Sequence, residues 1–154
     1  MSVYFLDSSA LVKRYRTEVG STWIRGLVEP ADHTIVVCEI SLSEVAAALA
    51  AAHRAPDGIS RIERDEAVSL FLGHCSMRYK LLGIMRSTIR LAVTLTQSYR
   101  LRGCDAIQLA TALNANRDFQ TTGFPTLTFV ASDEDLLAAA RAERLVTENP
   151  NTHA

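Results

Sequence analysis

The sequence predicts an α/β fold, a three-layer α/β/α sandwich on a central parallel sheet, and three observations carry that expectation. Short apolar runs, Val3 to Leu6, Thr34 to Val37 and Leu127 to Val130, have the pattern of strands buried on both faces. Stretches of helical period lie between them, and strands alternating with helices close into a parallel sheet covered on both sides. The 154 residues are about one domain's worth, enough to bury roughly 70% of the unfolded surface. No repeat, low-complexity tract or Pro/Gly/Ser linker divides them, so residues 1–154 are expected to form a single domain.

Val3 to Leu6 is the first strand and ends at Asp7; helical periods follow over 9–15 and 20–28. After the strand at Thr34 to Val37, Ser41-Leu42-Ser43-Glu44 has the form of a capping box and opens a helix over 41–54. On the Glu44 side of that helix stand Ala47, Ala48 and Ala51, small residues suited to close packing. A helix over 60–75 precedes a weaker strand candidate, Lys80 to Leu82. The next helix, 85–101, sets Met85, Ile89, Ala92 and Tyr99 on one face, as an amphipathic helix requires. A helix over 104–116 leads to the strand Leu127 to Val130, and a helix over 134–143 leads to a second weak candidate, Leu145-Val146.

Composition narrows the function classes. With 48% hydrophobic and 21% charged residues the chain matches ordinary globular proteins, not disordered, collagenous or coiled-coil ones. Its longest apolar run, Val45 to Ala52, falls far short of the about 20 residues that span a membrane. Val3 to Leu6 is too short for the core of a secretory signal, so a cytoplasmic chain is expected. Cys38, Cys75 and Cys104 form no CxxC pair or Cys/His cluster and read as buried thiols. His33, His53, His74 and His153 share no spacing that would support a metal site or a Ser-His-Asp triad. There is no GxxxxGK[ST] loop and no GxGxxG after a strand. Ser9 replaces the second Asp of a HAD-type phosphatase, and the last lysine, Lys80, lies too early for a receiver domain. The net charge of −1 carries no argument for nucleic acid, although all the basic residues except Lys13 and Lys80 are arginines, the better phosphate fork.

In open parallel sheets ligands bind beyond the carboxyl ends of the strands, and an acid recurs there: Asp7, Glu44, Asp105 and Asp133. Each has a local explanation. Asp7 can cap a helix starting at Ser8 or Ser9, Glu44 can complete the capping box, and Asp105 and Asp133 can complement helix dipoles. Together they come from distant segments to one edge of one sheet. Two carboxylates about 4 to 5 Å apart cost roughly 3 to 4 kcal/mol at an effective dielectric near 20. A hard divalent cation, Mg²⁺ or Mn²⁺, compensates that cost with oxygen ligands.

The residues around these acids carry a resemblance. Asp7-Ser8-Ser9-Ala10-Leu11-Val12-Lys13 resembles the opening motif of PIN-domain ribonucleases, Ser43-Glu44-Val45 their second acid, and Cys104 through Ala112 their third. The segment Phe129 to Leu137, continuing to Asn149-Pro150, resembles the fourth. The order and length are similar to the VapC-type toxins of bacterial type II toxin-antitoxin pairs. The resemblance implies a metal-dependent endoribonuclease with Asp7, Glu44, Asp105 and Asp133 as ligands of Mg²⁺ or Mn²⁺ and Ser9 as an accompanying hydroxyl. It further implies an RNA substrate, a VapB-type antitoxin partner and a homodimer. Arg14, Arg16, Arg86, Arg100 and Arg102 are candidates to hold flanking phosphates. Two positions depart from the pattern. Ala131 stands where many relatives have Thr or Ser, which leaves open a PIN-like module that binds RNA or protein without cutting. Gln108 stands where a His is frequent, and the sequence assigns it no role.

Overall fold

The computed structural model describes residues 1–153. Five strands of the described residues pair in parallel: β1 (Ser2–Leu6), β2 (His33–Cys38), β3 (Lys80–Leu82), β4 (Leu127–Val130) and β5 (Val146–Glu148). Their order is β3-β2-β1-β4-β5. Both weak strand candidates are therefore strands, and they take the two edges, where a short strand needs only one partner. Leu145 itself stays outside β5 but is buried.

Alternating side chains divide the core into two layers, as a sheet of period two requires. Val3 and Phe5 of β1, Val36 and Cys38 of β2 and Phe129 of β4 point to one face, where α5 (Arg86–Ser98), α6 (Gly103–Thr121) and α7 (Glu134–Ala142) cover them. Leu6, Ile35, Val37 and Val130 point to the other. There α1 (Ser8–Leu11), α2 (Ser21–Val28), α3 (Ile40–Arg54) and α4 (Arg61–Met77) pack. Phe5 and Phe129, partners in register on adjacent strands, stack with ring centroids 5.5 Å apart. This is the three-layer α/β/α architecture expected from the sequence.

Several helical details differ from expectation for local reasons. The helix expected over 9–15 is a single α-turn, α1, that tightens into a 3₁₀ turn at Val12–Arg14. α5 ends at Ser98, because Tyr99 turns to extended backbone and donates its hydroxyl to Glu143. Its buried stripe is Thr88, Ala92 and Leu95; Met85 precedes the helix, and Met85 and Ile89 are exposed. On α3 the buried stripe is Ser41, Val45, Leu49 and Ala52, which leaves Ala47 and Ala51 exposed rather than closely packed. α6 runs five residues past the expected end at 116, with Phe119 packed on the core and the Asn116 side chain accepting the Leu127 N–H at the start of β4.

Gly20 holds φ +86° before α2, and a Cβ there would lie 2.6 Å from the carbonyl of Pro150 near the other end of the chain. His153 stacks on Trp23 of α2 at 4.3 Å, so the last turn closes over that helix. From β1 the chain moves to β2 and β3 on one side and returns to β4 on the other. The carboxyl ends of β1 and β4 are thus the point where the connections part, the place where such sheets bind ligands. Across this seam the Asp7 N–H donates to the Val130 carbonyl at 3.1 Å.

Candidate active site

Asp7 leaves β1 at this seam and is only 3% exposed. Its Oδ1 accepts the Ala10 N–H at 3.0 Å and the Ser9 hydroxyl at 2.7 Å, so the capping geometry is present. An ordinary cap sits in water, however, and this one does not. Burial pushes the Asp7 carboxyl up to about 7, against the hydrogen bonds from Ser9 and Ala10, and the Asp105 carboxylate adds to the rise. Ser9 also accepts the Ser132 N–H at 2.9 Å, so one hydroxyl ties Asp7 to the loop after β4.

Glu44 does not close a capping box. α3 begins at Ile40, two residues earlier than the motif requires, so Ser41 lies inside the first turn and is buried. The Glu44 Oε1 instead accepts the Ser8 hydroxyl and the Gln108 amide, each at 2.9 Å. Gln108 Nε2 lies 2.9 Å from Ser41 Oγ and 3.0 Å from Ser8 Oγ, and the two hydroxyls are 2.8 Å apart. A capping box is closed instead at Ser60 and Glu63, where α4 starts.

Asp105 occupies the first turn of α6 and is mostly buried, with Arg102 Nε donating to its Oδ2 at 3.0 Å. Asp133 is the N-cap of α7 and accepts the Leu136 N–H at 2.9 Å. The two carboxylates line one cleft of about 420 Å³ together with Asp135, Arg100 and Arg102. Cys104, beside them, has its thiol pushed up by burial, with the Asp105 and Glu44 carboxylates adding to the effect. That shift leaves Cys104 a poor nucleophile.

Asp7, Ser9, Glu44, Asp105 and Asp133 therefore stand around the carboxyl edge of the sheet, each with its own protein donor. Among the described residues no three His, Cys, Asp or Glu side chains are close enough to share a metal ion. The donor set nevertheless suits a hard cation. It consists of carboxylate and hydroxyl oxygens, and Mg²⁺ usually takes one or two carboxylates and keeps its other positions for water and phosphate. Of the candidate arginines, Arg100 and Arg102 line the acidic cleft. Arg14 and Arg16 line two other clefts, and Arg86 opens α5. Reading the sequence missed the contacts of Ser8 and Ser41 and the part played by Gln108. The only signal was two serines beside assigned acids, because the contacts themselves span 33 to 100 positions.

Comparison with known families matches residues 4–142 to the PIN domain. Among solved structures, a chain of VapBC2 from Rickettsia felis, bound to a DNA fragment from its promoter, aligns with TM-score 0.64. The two are 15% identical over 96% of this chain and 98% of that one. FitAcB from Neisseria gonorrhoeae gives TM-score 0.58 at 12% identity, covering 96% and 97%. The sarcin-ricin-loop-cleaving toxin VapC20 of Mycobacterium tuberculosis gives 0.59 at 15% identity, covering 88% and 94%. No curated protein matches the chain in sequence.

Proposed function

The chain belongs to the PIN-domain family, and from that premise we propose that it is a Mg²⁺- or Mn²⁺-dependent endoribonuclease toxin, neutralised by a VapB-type antitoxin. The observation that carries this reading is the placement of four acids, from four separate segments, around the carboxyl edge of the sheet. The similarity of fold to VapC20, a toxin that cleaves the sarcin-ricin loop, supports it.

Asp7, Glu44, Asp105 and Asp133 would hold the cation, one or two of them directly and the others through its waters. When bound, such an ion activates water and offsets charge at the scissile phosphate. Ser9 fixes the Asp7 carboxylate and locks it to the loop carrying Asp133. Arg102 is mostly exposed, so its pair with Asp105 is weak and its guanidinium can turn to an incoming RNA phosphate, with Arg100 beside it. No side-chain nucleophile is needed.

The antitoxin is proposed to place an Arg or Lys among these carboxylates, a charge-assisted contact that excludes RNA. Exposed apolar side chains support a chain that works with protein partners, a second copy included. Ile89 and Val93 lie along α5 with Met85 just before it, and Ile62, Leu70 and Met77 lie along α4. No helix among the described residues is long and apolar enough to cross a membrane.

The test is expression of the chain alone. Growth is expected to arrest, and Asp105→Asn, which removes one charge while keeping shape, is expected to relieve the arrest at equal protein level. An Asn variant as toxic as the parent overturns the nuclease reading in favour of a module that binds without cutting.

A further inference from the structure

We infer that Gln108 is the positioning residue for Glu44: its amide, one turn beyond Asp105 on α6, holds the Glu44 carboxylate of α3 in its orientation at the acidic edge. The inference rests on the metal-dependent reading above and concerns a side chain to which that reading gives no task. Gln108 is 1% exposed, and its Nε2 reaches Glu44 Oε1 and Ser41 Oγ at 2.9 Å and Ser8 Oγ at 3.0 Å. Ser8 donates its one proton to Glu44, so its oxygen accepts from the amide. The amide cannot be turned over, because its Oε1 would then face the Glu44 Oε1 as acceptor against acceptor.

The other end of the side chain shows what the residue is for. Gln108 Oε1 is buried and has no hydrogen-bond partner among the described residues. Leaving an acceptor unsatisfied in a core is costly, and a Leu or Met would fill the space without that cost. The amide is therefore explained by its nitrogen, which joins α1, α3 and α6 at one carboxylate. A glutamate has three side-chain torsions, and a ligand of that length binds weakly until outer groups fix it. Asp105 and Gln108 leave the same helix, so α6 sets the positions of Asp105 and Glu44 together.

Calorimetric titration of purified protein with Mn²⁺ tests this, with melting curves to confirm folding. Gln108→Met, close in shape but without the donor, is expected to weaken Mn²⁺ binding about tenfold or more. In a Glu44→Gln background the same change is expected to add no further loss, since Gln108 acts through Glu44. Gln108→Asn keeps the amide but is one methylene too short, and it is expected to behave like Gln108→Met; it gives the same readout should the Met variant not fold. Unchanged Mn²⁺ affinity in a folded variant, or an equal loss in both backgrounds, overturns the inference. If the parent binds Mn²⁺ and cleaves RNA while the variants do so unchanged, only this inference fails. A parent that binds no Mn²⁺ overturns the nuclease reading with it.

Discussion

Asp7 shows how one side chain can be both a helix cap and something that caps are not. Its ordinary value is 3.8 and its folded value about 7, so the native state holds the proton more tightly than the unfolded chain does. The sign follows directly: the stabilisation is complete below about pH 4 and is lost as pH rises through 7. The loss saturates at about 4 kcal/mol. Urea unfolding in EDTA from pH 4.5 to 8.5 should show this decline in the parent. Asp7→Asn, an equally good cap, should flatten it and leave the variant more stable than the parent above pH 7. A parent with no decline across that window would reduce Asp7 to a simple cap. At this scale the sequence was informative where chemistry follows a strand directly, as for Asp7 and Ser9. It was silent on Gln108, whose partners lie on other elements, Ser8 at a separation of 100 positions.

At the scale of elements, α7 combines two roles in one residue. Asp133 caps it through the Leu136 N–H and also faces Asp105 across the acidic cleft. Two substitutions separate the roles. Asp133→Ala loses the cap and should cost about 1 kcal/mol in stability, whereas Asp133→Asn should keep the cap within a few tenths. Both should weaken Mn²⁺ binding, because both remove the carboxylate. Denaturation and calorimetry on the pair check this, and an Asn variant with parental Mn²⁺ affinity would leave Asp133 a cap alone. Element type was legible in the periodicities, and even the two edge strands appeared as short apolar runs. Faces and ends were less so. α5 buries Thr88 in place of Met85 and Ile89, because α6 packs against the 88/92/95 stripe and the helix starts only after Met85. The capping box at Ser41 failed because α3 starts two residues earlier than that box needs, at Ile40, which turns Ser41 and Glu44 toward Gln108. Hydrophobic pattern does not resolve a shift of one or two residues at a helix start.

For the molecule as a whole, a net charge of −1 hides an uneven field. Asp7, Glu44, Asp105, Asp133 and Asp135 gather at one edge, and the two arginines of the acidic cleft, Arg100 and Arg102, stand within it. Alternation of strands and helices was enough to expect a parallel sheet with helices on both faces. The order β3-β2-β1-β4-β5, which brings Asp7 beside the loop of Asp133, depends on strand pairing that no local pattern encodes. The central claim is that this seam hydrolyses RNA with a divalent cation. It is tested most directly by incubating RNA with the purified chain in Mn²⁺ or in EDTA, beside Asp105→Asn, and determining the chemistry of the product ends. Attack by water predicts cleavage in Mn²⁺ only, loss of at least 100-fold in the variant, roughly 2.7 kcal/mol of transition-state stabilisation, and linear phosphate ends. Cleavage that persists in EDTA, survives Asp105→Asn or leaves 2′,3′-cyclic phosphates would contradict it.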